Sequence, residues 1–320
     1  MGSAGCQASR RAPGRGAPAQ LGHRARAGRQ LRLLPCPRRA RAERSRRALL
    51  RRPAAGRRCD RGEHQPIDRA VRTYSMDFTD RTVVVTGAAG GIGAAVADHL
   101  ARAGARVYGF DLDPGVEGRM STLGGTGMPV DVADAPSVDE AIARVVDEVG
   151  AVHALVNAAG IVRRSPFVDM PLPEFDLLWR VNVLGVLVPS QAVARAMIAA
   201  GTPGAIVNFA SVAAEHVGPT SSGYAATKGA IVSLTRGAAV SLAPHRIRVN
   251  AVMPGPVETP MNAGLREDPE YMRALLARIP LGRQGRADEV AQAVAFLCGN
   301  GAEWITGEVL RIDGGVSVLR

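Results

Sequence analysis

Lysine is almost missing from this 320-residue chain: one occurs, Lys228, against 39 arginines. A position that needs only positive charge is readily filled by arginine here, so the single lysine marks a place where a planar guanidinium does not serve. Cysteine is scarce too. Cys6, Cys36 and Cys59 lie in the first 75 residues and only Cys298 lies beyond, which excludes a disulfide framework and a cysteine metal site in the remainder. A reducing cytosolic compartment is the expectation, with no metal. No unbroken run of eighteen apolar residues occurs and the N-terminus has no apolar signal core, so a soluble protein without membrane contact is expected.

Charge divides the chain in two. Residues 1–75 hold 20 arginines and four acidic residues, whereas the other 245 residues hold 20 basic and 25 acidic side chains. The first segment is dominated by Arg, Ala, Gly and Pro and shows no apolar periodicity, so burial cannot offset its ordering entropy and disorder is expected. A transit peptide and a nucleic-acid arm are alternatives. The first suffers from poverty in serine and the second from the lack of aromatics other than Tyr74. The favoured reading is an inert or artefactual leader translated from GC-rich upstream DNA, with Met76 the true start.

From residue 76 to 320, short aliphatic runs alternate with longer helical patterns, the mark of parallel strands joined by crossover helices. Strands are expected at 82–86, 106–110, 128–130, 153–157, 205–209, 247–252 and 308–312. Helices are expected at 92–103, 136–149, 174–200, 222–243 and 287–298. The expected architecture is a single α/β domain of Rossmann type, a doubly wound seven-stranded parallel sheet with its ligand crevice at the carboxyl ends of the strands.

After the first strand stands Thr86-Gly87-Ala88-Ala89-Gly90-Gly91-Ile92-Gly93. Glycines at such a turn let a pyrophosphate approach the N–H groups and positive dipole of the following helix. Asp111 closes the second strand 24 residues beyond Gly87, close to the offset of an acid that accepts hydrogen bonds from the adenosine ribose. Its charge would repel a 2′-phosphate, and neither Ala88 nor Leu112 counters it, so NAD is expected over NADP.

Tyr224 and Lys228 stand four apart on an expected helix, hence on one face. An ammonium beside a phenol favours phenolate, so the tyrosine pKa is expected to fall toward working pH for acid/base work.

These residues, together with Asn157-Ala158-Ala159-Gly160, Asn182, Ser211, Tyr224-Ala225-Ala226-Thr227-Lys228, Pro254-Gly255-Pro256-Val257-Glu258-Thr259 and Asp313-Gly314-Gly315, resemble the classical short-chain dehydrogenase/reductase family over 76–320. The resemblance implies hydride transfer between a substrate carbon and nicotinamide. It implies that Tyr224 exchanges the hydroxyl proton and that Lys228 also holds the nicotinamide ribose. Ser211 would polarise the substrate oxygen, and Asn182 would anchor a water. Gly87, Gly91, Ile92, Gly93, Asp111, Asp131, Val132, Asn157, Pro254, Gly255, Val257 and Thr259 would line the cofactor. Two of these have structural alternatives, Asn157 as a link between strands and Asp131 as a turn cap. The resemblance also implies a homotetramer assembled through the 174–200 and 222–243 helices and the last strand. Pro189 is expected to kink the first of these and alter the dimer seam.

Substrate choice is expected from 260–285, an apolar lid with scattered arginines, and from the residues after Gly160 and Ser211. Texture at Met76-Asp77-Phe78, Gly109-Phe110-Asp111, Asp131-Val132-Ala133-Asp134-Ala135 and Asn157-Ala158-Ala159-Gly160-Ile161 resembles the 2,3-dihydro-2,3-dihydroxybenzoate dehydrogenase branch. A substrate carboxylate would want a cation, and Arg163 or Arg164 could supply it unless both belong to a solvated basic loop. A polyol or sugar dehydrogenase, a 3-oxoacyl reductase and a non-catalytic NAD(H) sensor are the alternatives.

Overall fold

The computed structural model describes residues 76–319, so every reading of the Arg-rich segment 1–75 falls outside the described residues. From Met76 onward the aliphatic runs form β1 (Thr82–Thr86), β2 (Arg106–Asp111), β3 (Thr126–Pro129), β4 (Ala154–Asn157), β5 (Gly204–Phe209), β6 (Ile247–Pro254) and β7 (Val309–Ile312). All pair in parallel as one sheet in the order β3-β2-β1-β4-β5-β6-β7. Side chains alternate across a strand, and both faces of this sheet are covered. Val83 and Val85 enter one apolar cluster while Val84 between them enters another.

The first cluster takes in α1 (Gly91–Arg102). The second takes in α3 (Ala135–Val149) and α5 (Gly185–Ala200). Between β2 and β3 lies α2 (Val116–Thr122), which periodicity did not reveal because only Val116 and Met120 are buried in its seven residues. Glycines admit it to the sheet. A Cβ at Gly109 would stand 2.6 Å from the Met120 sulfur, and one at Gly127 would stand 2.3 Å from the Val116 carbonyl oxygen.

The expected 174–200 helix is interrupted, but not at Pro189. It is α4 (Leu172–Trp179), a π-turn (Arg180–Leu184) and then α5. Pro189, the fifth residue of α5, lies inside a helical run that continues on both sides of it, so the helix carries no break there. The π-turn fits an extra residue into one turn and rotates the faces of the adjoining helix. Asn182 and Val183 thereby face inward while Arg180 and Leu184 face out. By length and composition Leu172–Ala200 could cross a membrane, at mean hydropathy 1.6, yet 44% of that window is already buried inside this fold.

Two long helices complete the layers, α6 (Ser222–Leu242) and α9 (Ala287–Cys298), the latter extending the first cluster beside α1. The expected lid is an excursion between Val257 and Gly285, whose parallel bridge closes its base. It carries a short turn at Pro260–Asn262, then α7 (Ala263–Arg266) and α8 (Pro269–Leu276). Tyr271, Met272, Leu275 and Leu276 are half-buried and no residue of α8 is fully covered, which leaves its apolar face available to something outside its own packing.

Candidate active site

The strand order reverses between β1 and β4, where the chain leaves one side of the sheet for the other. A crevice opens at such a switch point, at the carboxyl ends of the strands. Two turns meet there. Gly87, in the left-handed region at φ +69°, packs so tightly against the turn after β4 that a Cβ would lie 2.8 Å from the Ala159 nitrogen. The Thr86 hydroxyl accepts the Ala159 N–H at 3.2 Å. Gly93 draws α1 onto the same turn, since a Cβ there would be 2.2 Å from the Gly87 carbonyl oxygen. Gly93→Ala is therefore expected to cost several kcal/mol of stability by overpacking a backbone contact, measurable as a fall in Tm of the apo protein before any cofactor is added.

Whether this turn suits a dinucleotide can be tested on its free space. A side chain at Gly90 would meet no protein atom within 4 Å, and one at Gly91, at φ +57°, would meet only Thr259 at 4.0 Å. The start of α1, with Gly91 and Ile92 in its first turn, thus opens on a cradle roofed by the loop after β6, which is the arrangement a pyrophosphate needs. Asp111 flanks it. One carboxylate oxygen accepts the Ala89 N–H at 3.0 Å and the other the Asp113 N–H at 3.0 Å. The acid stays half-exposed beside an outward-turned Leu112. Gly255 lets the roof pass Asp313, whose Cα would be 2.8 Å from a Cβ at that position. Thr259 caps the Pro260–Asn262 turn, where its N–H is accepted by Asn262 at 3.2 Å.

Several of the expected cofactor residues are occupied otherwise. Asn157 is 0% exposed, and its amide donates to Ser190 at 2.9 Å and Asn208 at 2.8 Å, so it links strand ends and offers a ligand no surface. Gly93 serves close packing. Val132, 7% exposed, fits against Gly185, and Pro254 is buried in β6 opposite Ile312. Asp131 accepts the Ala133 N–H at 2.9 Å and pairs with Arg180 at 3.3 Å, so it caps a turn and ties β3's exit to the π-turn. Val257 is buried at the base of the lid.

The reactive side chains converge from three elements. Ser211 lies just beyond β5, and its hydroxyl accepts the Ala213 N–H at 3.2 Å. Tyr224 lies in the first turn of α6 and Lys228 one turn on, 4% exposed, its Nζ 5.7 Å from the Tyr224 ring centre. Lys228 donates to the Phe209 carbonyl at 2.8 Å. Asn182, brought inward by the π-turn, clamps Ile161 from both sides: it accepts its N–H at 2.8 Å and donates to its C=O at 3.0 Å. It also donates to Thr227 at 3.1 Å, and Thr227 in turn donates to the Tyr224 carbonyl at 2.7 Å. Motif reading missed Thr227 as a member of this network. Its place beside Lys228 is the signal, since a buried hydroxyl there needs partners.

Electrostatics depart from expectation in one respect. Burial raises the Tyr224 phenol above its ordinary value, and what pulls it back is a hydrogen bond with Ser211 and the charge of Arg164. The lysine sits beside the ring with its ammonium committed to Phe209 and is not among the groups that shift the phenol. Burial also pushes the Lys228 ammonium down to about 8, because desolvation disfavours the charged form.

Residues 87–317 match the family model described as enoyl-(acyl carrier protein) reductase. L-xylulose reductase of Bos taurus is 39% identical over 251 residues, 75% of this chain and 98% of that protein. Cis-4-hydroxycyclohexanecarboxylate dehydrogenase of Sinomonas cyclohexanicum is 39% identical over 249 residues, 76% of this chain and 98% of that protein. Among solved structures, a gluconate 5-dehydrogenase of Burkholderia cenocepacia in complex with NADP and tartrate superposes with a TM-score of 0.72 at 37% identity, covering 76% of this chain and 98% of that one. Given the switch-point cradle, the three converging side chains and similarity of this breadth, the chain belongs to the classical short-chain dehydrogenase/reductase family and is an oxidoreductase of NAD(P)-dependent type.

Proposed function

We propose that this protein interconverts a secondary alcohol and a ketone with NAD(H), using Tyr224 as the proton-exchanging group. The carrying observation is the convergence of Ser211, Tyr224 and Lys228 beside the glycine cradle. A nicotinamide dinucleotide would supply the hydride chemistry, and Gly87, Gly91, Ile92, Asp111 and Thr259 are the residues that would hold it. The Ser211 hydroxyl orients the substrate oxygen against Tyr224. In ketone reduction Tyr224 gives its phenolic proton to that oxygen, and in alcohol oxidation it takes the proton back. Lys228 keeps a positive charge on the Tyr224 side of α6, which favours the phenolate left after proton transfer. Asn182 holds Ile161 and Thr227 in place, and with them the turn that walls the site.

Asp111 turns the preference toward NAD. Its carboxylate is half-exposed at the cradle edge with no arginine among the described residues bonded to it, and a 2′-phosphate facing it costs several kcal/mol of like-charge repulsion. NAD is expected to exceed NADP in kcat/KM by about 100-fold, and Asp111→Ser to shrink that ratio to near unity while weakening NAD as well, because the Ala89 N–H loses its acceptor. Equal use of the two cofactors by the unaltered protein rules the assignment out.

For substrate we favour a hydroxylated ring or short polyol, a class that spans the sugars and ring hydroxy acids named for relatives and the cyclic dihydrodiol acids. A 3-oxoacyl reductase also stands among the relatives, so a 3-oxoacyl thioester belongs beside the alcohols as the second reading. An NAD-coupled assay of polyols, cyclohexanols, dihydrodiol acids and that thioester tests the proposal. Turnover of the thioester alone, or of none of them, overturns it. The cytosol is the proposed compartment, consistent with the sole described cysteine, Cys298, being buried with its thiol pushed up to about 12. Assembly as a homotetramer is proposed on the outward Leu172, Leu177, Trp179 and Ile198 of α4 and α5 and Val240 of α6, surfaces whose burial would stabilise a seam.

A further inference from the structure

Arg163 and Arg164 come just after the turn that carries Gly160, and the fold treats them differently. The loop is strapped at both ends. Ile161 is clamped by Asn182, and the Ser165 N–H donates to the Thr220 carbonyl at 3.0 Å, just before α6 begins. Between the straps, Arg163 turns its guanidinium back onto the Val162 carbonyl at 2.9 Å. Arg164 is exposed and holds no hydrogen bond or ion pair among the described residues. By contrast Arg119, Arg180, Arg195, Arg283, Arg286 and Arg311 each hold a carboxylate.

The strap at Thr220 sets Arg164 beside the start of α6, which carries Tyr224 in its first turn. The charge is felt there, since Arg164 is one of the two groups that pull the Tyr224 phenol down. An uncommitted guanidinium on a tethered loop, within electrostatic reach of the reacting hydroxyl, is a receptor for a planar anion.

We propose that Arg164 is a specificity-determining residue that binds a carboxylate on the substrate, so that the alcohols this protein prefers are hydroxy acids. This deepens the alcohol-oxidoreductase reading above and rests on it for the reacting group. The carboxylate would replace water on Arg164 when the substrate enters, and its attachment would fix which carbinol carbon meets Tyr224. Arg163, already folded onto its own backbone, has no part in it.

The test uses unreactive probes, so that it stands apart from turnover. The protein loaded with NADH is titrated with cyclohexanecarboxylate and with cyclohexanecarboxamide, monitored by NADH fluorescence. The unaltered protein is expected to bind the acid about tenfold more tightly than the amide, the scale of one charge-assisted pair. Arg164→Gln is expected to remove that advantage and leave amide binding as it was, while Arg163→Gln keeps it. The advantage should also shrink with added salt. Equal binding of acid and amide by the unaltered protein overturns the proposal. So does an acid preference that survives Arg164→Gln, or one that Arg163→Gln abolishes equally. Failure of every alcohol in the panel assay, with the acid preference intact, would sink the reaction and leave the anion site standing.

Discussion

Tyr224→Phe is expected to lower kcat by about 10³-fold, the range a positioned general acid/base supplies, while NADH still binds. The substitution removes one oxygen and keeps the ring, so the half-buried packing in the first turn of α6 is retained. The proton and the hydrogen bond with Ser211 disappear. Fluorescence titration with NADH and thermal melting alongside the rate assay separate the cases: intact binding and Tm with lost turnover supports the role given to Tyr224. Turnover within a few-fold of the unaltered protein would move proton transfer to another group.

Lys228→Arg is the second large effect, expected at about 100-fold or more in kcat/KM although the charge is conserved. The lysine is 4% exposed, its Nζ is 2.8 Å from the Phe209 carbonyl, and a Cβ at Gly160 would lie 3.6 Å from it. A guanidinium is larger and planar, so it must shift the Gly160 turn or leave Phe209, at an overpacking cost of roughly 1–3 kcal/mol. Full activity in this variant would reduce Lys228 to a point charge.

The pH dependence comes from the same burial. A lysine held at about 8 loses its proton well before one in solution, so ketone reduction, which needs a protonated phenol and a charged ammonium, is expected to fall as pH rises through about 8. The Tyr224 phenol is raised above its ordinary value and stays protonated there. Stability moves the opposite way. Burying the charged ammonium is unfavourable, and the unfolded chain binds more protons between about 8 and the ordinary lysine value of 10.5, so the lysine's contribution to stability improves with pH across that window. A rate profile in Lys228→Arg should lack the fall near 8.

Much of this was legible from residue order. The strand expected at 82–86 is present, and its Val83-Val84-Val85 side chains lie in two separate clusters because both faces of the sheet are covered. The glycine turn and Asp111 declared the cradle because backbone approach and a strand-end carboxylate depend on local chemistry. α2 stayed hidden, since two buried residues in seven give no period. For the Asp131 carboxylate and the Asn157 amide residue order left both a cofactor contact and a structural role open, and in the fold the first pairs with Arg180 and the second bonds Ser190 and Asn208. Those partners lie 33 to 51 residues away, a separation at which no local pattern tells a ligand contact from a strand link.

Residue order was thus enough for the parallel sheet and the family, because apolar periodicity and glycine-turn chemistry are local properties. It took the folded chain to show that the break in the 172–200 helix is a π-turn bringing Asn182 inward rather than a kink at Pro189. The same holds for the bond from Lys228 to Phe209, for the burial that raises a phenol the lysine was expected to lower, and for Arg164 rather than Arg163 being left uncommitted. Each of these turns on which groups are desolvated and which partner arrives from a distant strand, and water exclusion and partnership exist only once the chain has closed on itself.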